Sequence, residues 1–274
     1  MGDGEAALSR RKGCRVPHGQ RTLSPPSVAP DAPAAPSRFG RRLLSRLPCL
    51  LVGAILLVGA TGFVAFDVAS VLQSRTVRGY GAGRAHVVAY ISGNLADGYV
   101  LLAGDSHVEL ARPEPVSCGR RILNAGVSGA KASDYSAFLD MLTLRSRPAV
   151  AVVTLGTNHL KRKVTLTRRE VADRYEAELT GVVERLSRLA DRVVVAAVPP
   201  ASTSLDRYLD RAGIAALTRR QARVCARLGC TTVDPYASYR GAAFDIARPG
   251  ATEDGLHLTD YAAAYRAIDR LLCS

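Results

Sequence analysis

Four short segments of the sequence carry the residue types that acyl transfer requires. They are Gly104-Asp105-Ser106, residues 124–129 (NAGVSG), residues 156–159 (GTNH) and residues 254–257 (DGLH). Together they offer a hydroxyl, glycine backbone N–H groups, a side-chain amide, and a carboxylate beside an imidazole. If the fold brings these groups together, the set predicts nucleophilic catalysis by a serine.

Each group has a definable role in such a reaction. Ser106 is the candidate nucleophile, and His257 is the candidate base that removes its proton. Asp254 stands three residues before His257, close enough in a turn to fix the ring tautomer and stabilise the imidazolium, which completes a catalytic triad. The oxyanion needs donors already in place, and the Ser106 N–H, the Gly129 N–H and the Asn158 amide fit that need.

Each of these residues also has a purely structural interpretation. Ser106 could cap a helix, and Gly129 and Asn158 could be turn residues. Asp254 could cap the last helix, and His257 could be an interface histidine. The combination favours the reaction set, because unrelated turns rarely assemble all of its parts.

Apolar runs and amphipathic stretches alternate along the second half of the chain and place these segments on a fold. Alternating strands and helices predict parallel βαβ units and a sheet covered on both faces, with ligands at the carboxyl ends of the strands. The predicted strands are 99–104, 121–125, 149–155, 192–198 and 230–234, and the predicted helices are about 131–145, 168–190, 207–228 and 259–272.

In this order and at these places, the four segments resemble the blocks of the SGNH (GDSL-type) hydrolase family. Those blocks are a GDS nucleophile motif, a glycine block, a GxN block and DxxH. The resemblance covers about residues 98–274. It implies a three-layer α/β/α sandwich with a mainly parallel five-stranded sheet, SGNH- or flavodoxin-like.

The resemblance assigns the same roles to the triad and to the oxyanion donors. It favours Gly129 over Gly126 in the oxyanion hole, because the second glycine of NAGVSG occupies the matching family position. It implies no cofactor.

Two histidines depart from the family pattern, which usually has an apolar residue at the place of His107 and an Asp at that of His159. Both are candidate pocket-lining residues. With His257 and Asp105 they could instead bind zinc, since imidazoles and carboxylates suit that ion. The spacing is not that of a helical zinc motif, so we expect no metal site.

Residues 161–169 (KRKVTLTRR) carry five basic residues just after the Asn158 block. Such a run is ordinarily a solvated surface. The functional alternative is a rim that attracts anionic polymer or lipid headgroups.

Residues 47–66 contain no charged residue and are about long enough for one helix to cross a bilayer. Arginines precede this stretch and Asp67 is the first charge after it, so the positive-inside rule leaves the N-terminus in the cytoplasm and the catalytic domain outside. A signal peptide cleaved near residues 68–70 is the alternative, although the apolar stretch is longer than a usual h-region.

The predicted organisation is a disordered, basic and Pro-rich cytoplasmic tail at 1–46, a transmembrane helix at 47–66, a juxtamembrane connector at 67–97 and a catalytic domain at 98–274. The formal net charge is +13, but aromatic residues are only 5% of the chain, so we expect no nucleic-acid partner.

Four cysteines, Cys118, Cys225, Cys230 and Cys273, fall on the predicted outer side, where disulfides are permitted. Three pairings are open, and reduced buried thiols are a further possibility. Proximity in sequence favours Cys225 with Cys230, and hence Cys118 with Cys273.

The sequence thus predicts a membrane-anchored serine esterase that acts outside the cytoplasm on O-acyl esters, acetyl foremost, of envelope glycan or lipid. An O-acyltransferase uses the same acyl-enzyme and is the first alternative. A catalytically inactive glycan- or lipid-binding anchor of the same fold is the second.

Overall fold

The computed structural model describes residues 71–111, 116–162 and 166–273, all within the compact unit Ala60–Ser274. The predicted tail at 1–46 and the predicted span at 47–66 lie outside these residues. Within the described ranges, no helix combines the length and the apolar character needed to cross a membrane.

One six-stranded sheet forms the centre of the domain, in the order β2-β3-β1-β4-β5-β6. Neighbouring strands are parallel, except that β2 pairs antiparallel with β3. The five parallel strands follow the flavodoxin-like order, whose switch point lies beside β1. The strands are β1 Val100–Gly104, β2 Val116–Ser117, β3 Arg120–Gly126, β4 Val150–Thr154, β5 Arg192–Ala196 and β6 Thr231–Val233.

The five strands predicted from the sequence are confirmed, and β2 is an addition. It is two residues long, too short to produce a recognisable alternation.

The described residues contain six α-helices beside the sheet. They are α1 at residues 71–92, α2 Ser106–Glu109, α3 Ala132–Met141, α4 Arg168–Leu189, α5 Gly213–Leu228 and α6 Ala262–Cys273. The four predicted helices are present, but α5 begins six residues later than expected. The segment before it is held in turns by the ion pairs Arg211–Asp206 and Arg168–Asp210.

The helices cover the two faces of the sheet unequally. Leu101 and Ala103 of β1 belong to the main core, which α1, α3, α4 and α5 complete. Val100 and Leu102 point to the opposite face and pack against Ile268 of α6. Apolar residues between 236 and 258, outside the α-helices and strands, cover the rest of that face. This alternation along one strand confirms the predicted sandwich.

Helix α1 packs on the domain, although the sequence assigned its residues to a connector. Ala85 and Val88 are buried in the main core. Ser92 accepts a hydrogen bond from the Arg145 N–H, and the Ser146 hydroxyl donates to the Ser92 carbonyl. The packed domain therefore includes residues before 98.

The structure contains two disulfides, Cys118–Cys273 and Cys225–Cys230. This is the pairing that the sequence favoured. The first joins the loop between β2 and β3 to the end of α6, and the second joins the end of α5 to the residue before β6.

Candidate active site

Ser106 lies where β1 ends and α2 begins, and it is largely buried. The cap of α2 is Asp105, whose carboxylate accepts the His107 N–H at 3.0 Å. A side chain at Gly104 would put its Cβ 2.2 Å from the Thr154 carbonyl oxygen, so only glycine lets the chain turn here. Ser106 is thus not needed as the cap, and its hydroxyl is available for another role.

The structure brings Ser106, His257 and Asp254 into one chain of hydrogen bonds. The Ser106 Oγ is 2.9 Å from the His257 Nε2, and the His257 Nδ1 is 2.7 Å from an Asp254 carboxylate oxygen. An ionised carboxylate only accepts, so the Nδ1 carries the ring proton and the Nε2 is free to accept the serine proton. This is the arrangement that a general base requires.

A tight turn holds Asp254 and His257 in register. The second Asp254 oxygen accepts the Leu256 and His257 backbone N–H groups, and the Gly255 carbonyl accepts the Ser202 N–H. Burial by itself would raise the pKa of Asp254, but hydrogen bonds from the His257 backbone and ring and from the Leu256 N–H bring it down to about 2. Asp254 is therefore a carboxylate throughout the neutral range.

The other two candidate oxyanion residues, Gly129 and Asn158, follow the strands on either side of β1. Gly129 follows β3 and has a left-handed backbone (φ 78°), and Asn158 lies in a short 3₁₀ turn after β4. The Asn158 Nδ2 donates to the Ala130 carbonyl at 3.2 Å, which ties the two segments together. β3 and β4 flank β1, so both residues lie at the sheet edge where Ser106 stands.

Three side chains that the sequence did not single out hold the segment before Gly129. The Glu109 carboxylate accepts the Ser128 N–H and the Tyr80 hydroxyl. Arg84 donates to the carbonyls of Asn124 and Gly126. No motif marks these residues, because α1 and α2 reach the glycine block only in the folded chain.

His107 is buried behind the base instead of lining an open pocket. Its ring is 1% exposed and lies 5.4 Å from the His257 ring, centroid to centroid. Burial, and next the charge of His257, lower the pKa of His107 to about 3, so the ring is neutral. Its Nδ1 is 3.0 Å from the Tyr261 hydroxyl, which also accepts the Leu258 N–H.

His159 points away from Ser106 and towards α4. Its Nε2 is 2.9 Å from a Glu178 carboxylate oxygen, and its ring packs edge-on against Tyr175. It also lines two adjoining cavities on that side of the sheet edge. His159 thus borders both of these cavities, and His107 lines neither of them.

The zinc alternative required three histidines to meet at Asp105. Among the residues that the structure describes, no group of three or more His, Cys, Asp or Glu side chains is placed to hold a metal ion. His159 is paired with Glu178, and His257 is committed to Ser106 and Asp254.

Comparison with known families decides the classification. Residues 74–265 match the model of the GDSL-like lipase/acylhydrolase family. The chain belongs to this family. The match begins inside α1, in keeping with the packing of that helix on the domain. The protein is an ester-hydrolysing enzyme of the GDSL acylhydrolase family.

Solved structures share the fold. A candidate platelet activating factor from Streptococcus pneumonia superposes with a TM-score of 0.58 at 16% identity, over 78% of this chain and 99% of that one. A candidate acylhydrolase from Bacteroides fragilis superposes with a TM-score of 0.52 at 20% identity, over 67% of this chain and 91% of that one. A GDSL-like lipase from Bacteroides thetaiotaomicron superposes with a TM-score of 0.52 at 18% identity, over 70% of this chain and 96% of that one. No curated protein matches the sequence.

Proposed function

We propose that the chain is a membrane-anchored serine esterase that acts outside the cytoplasm through a Ser106 acyl-enzyme. The observation that carries the proposal is the hydrogen-bonded chain from Ser106 through His257 to Asp254. Its substrate is an O-acyl ester on envelope glycan or lipid, and acetyl is the favoured acyl group.

The reaction proceeds in two steps, acylation of Ser106 and hydrolysis of the acyl-enzyme. The Ser106 Oγ attacks the ester carbonyl while the His257 Nε2 takes the hydroxyl proton, and Asp254 stabilises the imidazolium. The oxyanion that forms accepts hydrogen bonds from the Ser106 and Gly129 N–H groups and from the Asn158 amide. The alcohol leaves with the proton from His257, and water, activated by the same base, then releases the acid.

Substitution of the nucleophile and the base tests this mechanism. We expect Ser106→Ala and His257→Ala each to lower kcat/KM for p-nitrophenyl acetate by about 10³-fold or more. Ser187→Ala and His86→Ala, which change exposed residues on α4 and α1, are the matched controls. Equal rates for the wild type and both active-site variants would contradict a serine mechanism.

The same assay separates hydrolysis from transfer. A sugar hydroxyl can replace water in the second step without any change in the triad. If acyl sugar forms at the expense of free acid when a sugar acceptor is supplied, the protein is an acyltransferase.

The predicted anchor at 47–66 places the enzyme on a membrane, with its N-terminus in the cytoplasm. The two disulfides support an oxidising compartment for the catalytic domain, because the cytosol keeps most thiols reduced. A reporter fused after Ser274 should be active only outside the cytoplasm. Activity of the fusion inside the cytoplasm would overturn this topology.

A further inference from the structure

A groove beside the oxyanion residues combines several cations with few acids. It consists of a cavity of about 400 Å³ and a smaller one of about 90 Å³, which share His159, Leu166 and Val171. The charged lining comprises five cations and two acids, namely Lys131, Lys161, Arg162, Arg168, Arg174, Glu178 and Asp210.

Both acids of this groove already have partners. Asp210 is bound by Arg168 through two hydrogen bonds, and Glu178 accepts from His159 and from the Ser133 N–H. No described residue forms an ion pair with three of the cations, Lys131, Lys161 and Arg174. The positive charge of the groove is therefore not balanced from within.

Two of the unbalanced cations, one in each cavity, repel each other. The pKa of the Lys161 ammonium is lowered, first by partial desolvation and next by the positive charge of Lys131. Like charges destabilise one another, and an anion bound in the groove would offset this repulsion.

The residues of the groove follow both oxyanion residues closely in the chain. Lys131 follows Gly129 by two residues and Lys161 follows Asn158 by three, and the Asn158–Ala130 hydrogen bond joins the two segments. The charge of Lys161 also acts on Asp105, which precedes Ser106. Both cavities are thus lined by residues that closely follow an oxyanion residue in the chain.

One buried polar atom of the groove has no partner. His159 is 5% exposed, and its Nδ1 forms no hydrogen bond with any described residue. Buried polar atoms are ordinarily hydrogen-bonded. The Glu178 carboxylate accepts from the Nε2, so the Nδ1 can only accept, and a hydroxyl of a glycan is a suitable donor.

We propose that this groove binds the anionic groups of an acylated, phosphate- or carboxylate-bearing glycan, with Lys131 and Lys161 as the specificity residues. The cations are spread over two adjoining cavities, which suits repeated charges along a polymer better than a single headgroup. This inference rests on the proposed function, because it places the ester of that glycan at Ser106.

Matched sugar esters test the selectivity of the full-length enzyme. The substrates are 3-O-acetylglucose 6-phosphate and neutral 3-O-acetylglucose. We expect the wild type to prefer the phosphate in kcat/KM, and the double variant Lys131→Gln/Lys161→Gln to lose about tenfold of that preference. The preference should also shrink as ionic strength rises.

Two further variants serve as controls. Arg192→Gln removes an exposed cation at the opposite end of the parallel strands and should keep the wild-type preference. Lys131→Arg/Lys161→Arg keeps the charge and should keep the preference too. An equal preference in the wild type and the double Gln variant overturns the inference. A stronger Lys-dependent preference for dihexanoyl phosphatidylglycerol over both sugars overturns the glycan assignment in favour of a lipid headgroup.

A binding measurement separates this inference from the esterase proposal. Calorimetric titration of Ser106→Ala with glucose 6-phosphate and with glucose requires no turnover. Binding of the phosphate alone, lost when Lys131→Gln/Lys161→Gln is added, supports the groove whether or not the esters are hydrolysed. Failure of glucose 6-phosphate to bind, with Ser106-dependent hydrolysis intact, overturns the groove and leaves the esterase.

Discussion

Two carboxyl groups near the nucleophile ionise in different pH ranges. Asp254 is half exposed and bonded to N–H groups, with a pKa of about 2. Asp105 is fully buried, one of its oxygens has no partner among the described residues, and burial raises its pKa to about 7. Their environments therefore assign different tasks, since Asp254 is fully ionised at neutral pH and bonds the His257 ring directly.

Asp254→Asn tests the role of this carboxylate. The amide leaves the turn in place but stabilises neither the required tautomer nor the imidazolium, so we expect kcat to fall by about 10²–10⁴-fold. Because the pKa of Asp254 is about 2, the wild type has this carboxylate from about pH 5 to 8, and a loss should persist across that range. A variant with the wild-type kcat anywhere in this range would contradict this role.

Asp105→Asn tests the buried carboxyl through stability. As pH rises from about 4 to 7, the unfolded state ionises this group while the folded state keeps the proton, so the free energy of unfolding declines. Asparagine removes that dependence and can still cap α2. In urea unfolding, the substitution should increase the free energy of unfolding more at pH 8 than at pH 4, by up to about 4 kcal/mol. An equal effect at both pH values would refute the assignment.

At the scale of elements, α2 lies directly on β3. A Cβ at Gly126 would stand 2.3 Å from the Glu109 N and 2.6 Å from its Cα. This close approach lets Glu109 reach the Ser128 N–H, and Arg84 of α1 donates to the Gly126 carbonyl. The glycine block is thus held by two helices, which preorganises the Gly129 N–H for the oxyanion.

Gly126→Ala tests this contact between α2 and β3. Backbone atoms cannot yield as a flexible side chain can, so we expect a loss of about 3 kcal/mol or more in the free energy of unfolding. Gly83→Ala is the matched control, because its Cβ would meet nothing within 4 Å in the middle of α1. That variant should gain about 0.5–1 kcal/mol. Similar values for the two variants in urea unfolding would contradict the close approach.

At the scale of the whole molecule, the Cys118–Cys273 disulfide closes a loop with a sequence separation of 155, and Cys225–Cys230 one of 5. The first bridge ties α6, which follows His257, to the strand edge beside β3. A longer loop loses more entropy in the unfolded chain when it is closed.

Removing each disulfide separately tests this difference. In the chain-entropy model, Cys118→Ser/Cys273→Ser should cost about 5 kcal/mol and Cys225→Ser/Cys230→Ser about 2 kcal/mol. Thermal unfolding of both variants under identical conditions would rank them. A larger loss for the short loop would contradict the loop-entropy account.

The sequence by itself determined the parallel sheet, the helices that follow its strands and the candidate site residues. Strand and helix periods are local properties, and the family blocks stand at predictable strand ends, as Ser106 and Asn158 do. The favoured disulfide pairing also rested on sequence proximity. The late start of α5 escaped prediction, because ion pairs with distant residues stabilise the preceding turns.

Only the tertiary structure decided what surrounds these groups. Burial separates the ionisation of Asp105 from that of Asp254, and it places His107 behind the base and His159 beside a cationic groove. Likewise, α1 became part of the core because Ala85 and Val88 meet residues far along the chain. Desolvation and packing depend on neighbours brought together from distant positions, so no local pattern in the sequence records them.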